Sequence, residues 1–327
     1  MILKGGKKVS GTFCGIGAAV CYGTNPLGAL NLYGEGMATN CVLFYRFSMA
    51  FLILAVVMLF RKESLHVAWQ DFKVVSSLGI LFIFSSLSLY LSFLYMPAGI
   101  ASTILFTYPI MTVLIMLVVY RERASILTWL CIALATAGVV LLYWTGDGSG
   151  TLSPEGVILV LISALTYAIY IVLVGKAKLQ CSSFKINFYV LLWCAIGMLV
   201  YTALGNALMS PEMRAGSDGR AALVGPLLPP HNFRGWFYVT WLAAIPGIAA
   251  LVMMVYSSKY TGATTTSILG ALEPLTAVII GIFVFHESFT THLAVGIVLI
   301  ITAVTIIAYS QVPHPRTQQV GRHRTHG

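Results

Sequence analysis

Two charged side chains stand where charges are expensive. Glu273 lies near the middle of the apolar run 262–285, and Arg46 lies close to the start of the run 40–60. A charge at bilayer depth costs about 3 kcal/mol on insertion scales, so such groups mark transport paths, proton relays or locked pairs. A carboxyl at that depth can exchange a proton with either side of a membrane, or hold a ligand ammonium. A guanidinium can hold a ligand carboxylate through its planar fork. Both can equally lock a helix bundle, as a pair or by bonds to backbone, and an Arg near a helix end can snorkel. Thr266, Gly270 and Glu273 follow at i, i+4 and i+7, on one helical face. A small, polar stripe of that kind suits a cavity wall.

Four prolines interrupt apolar runs at depth: Pro26, Pro109, Pro246 and Pro274. Each lacks an N–H, so the carbonyl four residues earlier loses its helical partner. Those carbonyls belong to Tyr22, Leu105, Leu242 and Gly270. Broken helices near the midplane point to a transport site, and the prolines are expected to act as hinges. Deep aromatic and amide groups complete the candidate lining: Tyr22, Asn25, Tyr90, Tyr167, Tyr170, Trp193 and Trp241. Ser163, Tyr167 and Tyr170 share one helical face, Tyr22 and Asn25 another, and Ser85, Ser88 and Ser92 a third. Together they predict an aromatic-walled pocket with few polar anchors. Tyr33, Trp144, Trp236, Tyr238 and Tyr309 fall at run ends and read as an interfacial belt. No H-x-x-x-H, C-x-x-C or P-loop spacing occurs. Neither a metal, a cofactor nor ATP hydrolysis is therefore expected.

The elements that must hold these groups are set by composition. Of 327 residues, 58% are hydrophobic and 9% charged. A soluble domain carries about 25% charged residues, so the chain is expected to be an all-α integral membrane protein. Ten apolar runs reach membrane-spanning length: 11–32, 40–60, 73–95, 98–120, 125–143, 154–176, 187–207, 235–258, 262–285 and 290–310. The first follows Lys4, Lys7 and Lys8 like a signal peptide. It is too long for one and carries Asn25-Pro26, so it reads as a retained helix. Segment 208–234, rich in Pro, Gly and charge, reads as one long surface loop. The six cysteines sit mostly in apolar runs and read as small buried hydrophobes.

The net charge of +9 comes from 19 Lys and Arg against 10 Asp and Glu. With the N-terminus inside, 15 of the 19 basic residues fall on the inner side, three on the outer, and Arg46 within a span. Cytoplasmic loops carry such an excess, which predicts cytoplasmic N- and C-termini and explains the charge without nucleic acid.

The chain also repeats itself. Ala98, Ser102, Pro109 and Glu122 recur as Ala263, Ser267, Pro274 and Glu287 at an offset of 165. One residue further out of step, Thr136-Ala137 and Tyr143 recur as Thr302-Ala303 and Tyr309. Two halves of five helices each would enter the membrane from opposite sides, the inverted repeat typical of secondary transporters. The expected division is 1–150, 151–311 and a basic tail 312–327.

These repeated stretches, with Glu273-Pro274 and with Tyr45-Arg46-Phe47 ahead of Arg61-Lys62, resemble the EamA family of the drug/metabolite transporter superfamily. Tyr22-Gly23 stands where that family often has Trp-Gly, Cys131 where Gly is common, and the 208–234 loop is long. The resemblance implies a ten-helix cell-membrane transporter that moves small metabolites such as amino acids, often outward. A nucleotide-sugar or lipid-linked carrier of the same fold is the alternative. A phosphate-rich substrate would call for several cavity Lys or Arg, which the spans lack. A membrane enzyme would need a nucleophile with a base, which Glu273 alone does not supply. The expected partners are a small-molecule substrate, the bilayer and protons.

Overall fold

A computed structural model of the chain describes residues 2–96, 98–122, 124–142, 153–177, 179, 181–208, 223–285 and 291–310. Trp144, Tyr143, His286, Glu287 and the tail 312–327 lie outside the described residues. So do Arg214 and Arg220, two of the three outer-side cations.

The regular elements among the described residues are all helices, without a strand. Among the described residues five helices are long and apolar enough to cross a membrane: Thr39–Phe60 (α3), Trp69–Ser92 (α4), Pro154–Lys176 (α8), Ser183–Leu208 (α9) and the composite Phe233–Thr261. The composite joins α10 (Phe233–Leu242) to α11 (Ala250–Thr261) through a π-helical turn, Ala243–Ala249. Three further expected spans are each split in two. Ile2–Tyr22 (α1) is followed by Asn25–Gly34 (α2), Ala98–Leu105 (α5) by Tyr108–Val118 (α6), and Ala263–Leu269 (α12) by Leu272–Phe285 (α13). Ile126–Leu142 (α7) and Thr291–Ser310 (α14) complete the order. α1 starts at Ile2, well before the apolar run proper.

Local chemistry fixes several helix ends. α8 opens on Pro154 and Glu155 and closes on Lys176. A proline at N1 costs no hydrogen bond, and the two charges complement the helix dipole. α11 stops at Gly262, whose φ of 92° is a backbone state that a side chain would resist. Small residues let backbones approach elsewhere, as membrane helices commonly do. Gly138 of α7 faces Gly296 and Ile300 of α14, and a Cβ there would sit 2.8 Å from the Gly296 carbonyl. α7 and α14 form a flanking pair, whereas α1 packs along α11, and α4 packs on α8 and α9.

Loop contacts define the two ends of the bundle. At one end Lys176 pairs with Glu122, Ser182 bonds Glu63, and Lys185 Nζ donates to the His66 carbonyl at 3.2 Å. At the other end Arg234 donates to Asn31 at 2.9 Å, and Gly156 packs on Tyr95 and Met96. The lysine-rich loops thus share one end. The described part of segment 208–234, expected as one long surface loop, is mostly exposed but anchored at Val224 and Gly225. Val224 is 3% exposed and packs on Gly205. Asn40 clamps Gly225 through paired amide bonds of 2.8 and 2.9 Å. Asn40 also reaches Thr202 at 3.1 Å, so one buried amide ties α3, α9 and the returning strap together.

Candidate functional site

The three splits meet at the centre of the bundle. Each proline lies in the first turn of a second half-helix: Pro26 in α2, Pro109 in α6 and Pro274 in α13. There the missing N–H is one of the helix's unpaired donors anyway. The carbonyl that Pro274 cannot serve, Gly270, accepts instead from the Glu273 N–H at 2.9 Å. Pro246 is accommodated differently, inside the π-helical turn. The register of that turn passes the Leu242 carbonyl to the N–H five residues on. The crossings are close. A Cβ on Gly23 would lie 2.5 Å from the Glu273 carbonyl and from Thr276, and one on Gly270 would strike the Tyr108 hydroxyl. Gly23 and Gly270 are therefore the positions at which three broken helices can touch.

Two small chambers lie one above the other at this crossing. The upper, about 40 Å³, is walled by residues including Asn25, Arg46, Tyr90, Leu105 and the Ser85–Ser163 pair. The inner, about 10 Å³, is walled by residues including Gly15, Ala18, Tyr108, Thr266 and Gly270. Tyr22, Tyr167 and Glu273 line both and form the septum between them. A space of 40 Å³ holds a few waters and is far below the several hundred Å³ of a ligand-filled pocket. The conformation is contracted.

Arg46 is 2% exposed and does not snorkel. Its Nη1 donates to the Tyr90 hydroxyl at 2.6 Å, and that hydroxyl donates to Asn25 Oδ1 at 3.2 Å. The guanidinium stands 5.4 Å from the Phe47 ring centre and 5.5 Å from that of Tyr90. Tyr33, expected in the interfacial belt, turns inward and donates to the Tyr90 carbonyl at 3.2 Å. Arg46 Nε has no protein partner among the described residues. Arg46 is thus oriented but not saturated, and a charged donor left free in a cavity wall is costly unless a ligand or water meets it.

Glu273 is only partly buried, because it faces the chambers. Among the described residues it makes no ion pair; the pairing there is Lys176 with Glu122. Arg46 and Glu273 line one cavity as a separate guanidinium and carboxyl, with no ion pair between them among the described residues. Around them Tyr22 meets Tyr167 edge-on at 6.4 Å, Tyr108 meets Tyr167 at 5.0 Å, and Tyr170 stacks behind Tyr167 at 6.2 Å. Ser163 donates to the Ser85 carbonyl at 2.8 Å and joins α8 to α4. Ser88 and Ser92 bond carbonyls of their own helix instead.

Of the sequence candidates, Tyr22, Asn25, Arg46, Tyr90, Tyr167, Gly270 and Glu273 converge on the chambers. Tyr170 lies one layer behind. Trp193 does not join them. It packs on Gly79, with its ring 6.4 Å from Phe72. Trp241 also stays away, beside Phe237 at 6.2 Å. Tyr108 was not among the candidates. The offset of 165 that aligns Pro109 with Pro274 also aligns Tyr108 with Glu273, and that signal was sufficient to find it.

An all-helical, multi-pass bundle with broken helices around a charged central cavity defines a membrane-transport fold. The profile of the EamA-like transporter family matches residues 9–144 and again 154–309, and the chain belongs to that family. Among curated proteins it is similar to an uncharacterized transporter of Synechocystis, 25% identical over 236 residues, covering 72% of this chain and 66% of that one. It is also similar to the uncharacterized inner membrane transporter YedA of Escherichia coli, 26% identical over 219 residues, covering 67% and 64%. An uncharacterized transporter of Archaeoglobus fulgidus is 27% identical over 208 residues, covering 64% and 66%. The chain thus spans about two thirds of the length of these relatives. A solved crystal structure shares the fold at a TM-score of 0.73 and 17% identity, over 91% of this chain and 98% of that one.

Proposed function

We propose that the chain is a secondary transporter, working as an exporter, for small zwitterionic metabolites such as amino acids. The observation that carries this reading is the guanidinium of Arg46 and the carboxyl of Glu273, with no ion pair between them, on the wall of one aromatic cavity. A substrate carboxylate meets Arg46 by a charge-assisted bond, and its ammonium meets Glu273. The N-terminus of the half-helix α2 adds a favourable field for the carboxylate. A nucleotide-sugar or lipid-linked substrate fits less well, since Arg46 is the one cation among the described residues lining the chamber.

The fold is read as ten spans in two inverted halves, 1–150 and 151–311, with both termini and the tail 312–327 in the cytoplasm. The lysine-bearing end of the bundle then faces inward, and Arg234 outward. Alternating access rocks the halves about the crossing, with Pro26, Pro109, Pro246 and Pro274 as hinges, and widens the contracted chamber from each side in turn. Glu273 binds and releases a proton during the cycle.

Counterflow in proteoliposomes across the proteinogenic amino acids tests the substrate class. At least one should exchange, and removal of its carboxylate should abolish that exchange. Exchange of nucleotide sugars with none of amino acids overturns the reading. Cysteine labelling tests the orientation. In a chain freed of native cysteines, an impermeant reagent added outside cells should modify a cysteine at position 231 and miss one at position 62. The reverse pattern overturns the orientation and the inverted halves with it.

A further inference from the structure

Three hydroxyls stand in a ring beside the inner chamber. Ser257 Oγ lies 2.9 Å from Thr266 Oγ1 and 3.2 Å from Thr261 Oγ1. Thr261 Oγ1 lies 3.2 Å from Thr266 Oγ1 and donates to the Ser257 carbonyl at 2.8 Å. Ser257 and Thr266 are buried, whereas Thr261, the last residue of α11, is half-buried at the lysine-bearing end. Thr266 belongs to two structures at once. It is a corner of the ring, and it lines the inner chamber together with Glu273. Gly15 leaves the space that the ring occupies, since a Cβ there would sit 2.7 Å from Ser257 Oγ.

The ring joins the inner chamber at Thr266, and the chamber joins Glu273. A hydroxyl both donates and accepts, so it can take a proton on its oxygen and pass its own hydrogen onward. The inner chamber, about 10 Å³, is about the size one water needs, and it offers polar partners in Tyr108, Thr266 and Glu273. The titratable and charged groups sharing the chamber walls with Glu273 are Arg46 from α3, Tyr22 from α1, Tyr90 from α4, Tyr108 from α6 and Tyr167 from α8. Arg stays charged and phenols ordinarily ionise only near pH 10, so the Glu273 carboxyl is the group among them suited to exchange protons. Next to Thr261 in the chain, Tyr260 has Lys7 5.4 Å from its ring centre. Lys259 is turned aside, donating to the Cys181 carbonyl at 2.7 Å.

We propose that Ser257, Thr261 and Thr266 are a proton relay between Glu273 and the lysine-bearing end of the bundle. The inference rests on Glu273 as the proton-exchanging group and adds the route. A proton from bulk water joins the Thr261 oxygen, and the hydrogen that Thr261 held on the Ser257 carbonyl turns to the Ser257 or Thr266 oxygen and moves on. Thr266 hands one on to a chamber water, and that water protonates the Glu273 carboxylate. Each hydroxyl and the water end with the hydrogens they began with. Glu273 ends as a neutral carboxyl, and the reverse sequence discharges it.

The test needs no substrate. The full chain in lipid bilayers is given a pH jump while infrared difference spectroscopy follows the carbonyl stretch of protonated carboxyls. The band missing from Glu273→Gln belongs to Glu273. Thr266→Val and Ser257→Ala should slow the rise of that band by about tenfold and leave its titration midpoint unchanged. Thr266→Ser, which keeps the hydroxyl, should rise at the wild-type rate and control for folding. Wild-type rates in both Thr266→Val and Ser257→Ala overturn the relay and leave Glu273 as the exchanging group. A shifted midpoint with an unchanged rate also overturns it, by making the hydroxyls an electrostatic support. Absence of any Glu273 band removes the proton role of Glu273, and the relay with it.

Discussion

Leu105, Tyr108 and Pro109 in the first half occupy the positions of Gly270, Glu273 and Pro274 in the second, 165 residues on. Both triplets split a helix, and both splits lie at the central crossing. The backbone device is the same and the chemistry differs. The first copy places a phenol before its proline and fills the chamber wall with Leu105. The second places a carboxyl there and opens a gap at Gly270, into which the Tyr108 hydroxyl fits. One half supplies bulk and the other supplies charge and room. A repeat duplicated for packing would have kept both triplets alike. Their divergence separates what the fold requires, the split with its proline, from what the site requires, one charge and one hole.

Removing the charge tests that separation most severely. Glu273→Gln keeps shape and hydrogen bonding, and should lower liposome flux by about a hundredfold or flatten its dependence on pH, with folding intact. Parallel pH curves of appreciable amplitude would take Glu273 out of the mechanism. Filling the hole comes next. Gly270→Leu gives the second half the residue of the first, and its Cβ meets the Tyr108 hydroxyl. Overpacking of this kind costs about 1–3 kcal/mol, read as a lower melting temperature in detergent. Tyr108→Ala in the same chain should return part of that loss, because contacting residues do not add independently. Additive losses would mean that the two positions do not share the gap.

How much of this was readable beforehand follows from what a sequence encodes. Depth is encoded in the apolar runs, so the all-helical membrane class and the central height of Glu273 and of the prolines were legible. Azimuth is encoded only by periodicity along one helix. Thr266, Gly270 and Glu273 do meet at the inner chamber, but across the break between Leu269 and Leu272 rather than on one helical face. Trp193 and Trp241 were candidates by depth alone, and the rotation of their helices carries them onto Gly79 and Phe237 instead of the chambers. The breaks were legible from the prolines, but not that Gly23 and Gly270 let the broken helices touch. The strap at Val224 and Gly225 was illegible, because an irregular segment has no period. It is held by Asn40, 185 residues away in sequence.

A smaller effect belongs to the cation. Arg46→Lys keeps the charge but loses the planar fork. It should weaken binding of a carboxylate substrate by about tenfold, and that of its neutral amide much less. Equal losses would assign Arg46 to the Tyr90–Asn25 network alone, and the first half would then hold no ligand group.

The smallest expected effect separates the two prolines. Pro274→Ala restores an N–H that competes for the Gly270 carbonyl, now taken by Glu273 N–H at 2.9 Å. The continuous helix it favours would draw the Glu273 backbone out of the split and turn its carboxyl away from the septum. Pro109→Ala restores the matching N–H beneath Leu105, but the side chain it moves is Tyr108, which bears no charge. The two substitutions are alike in local energetics, since each exchanges a proline in a first helical turn for alanine. Any difference between them therefore reports the side chain carried by the turn. Pro274→Ala should slow transport by about fivefold at unchanged folded yield, roughly the effect of 1 kcal/mol on a barrier, and Pro109→Ala by less. Flux per folded molecule in liposomes decides the matter. Equal slowing by both would make the prolines symmetric hinges, with the chemistry of the turn irrelevant to motion. A fall in flux that merely follows yield would make them structural in both halves.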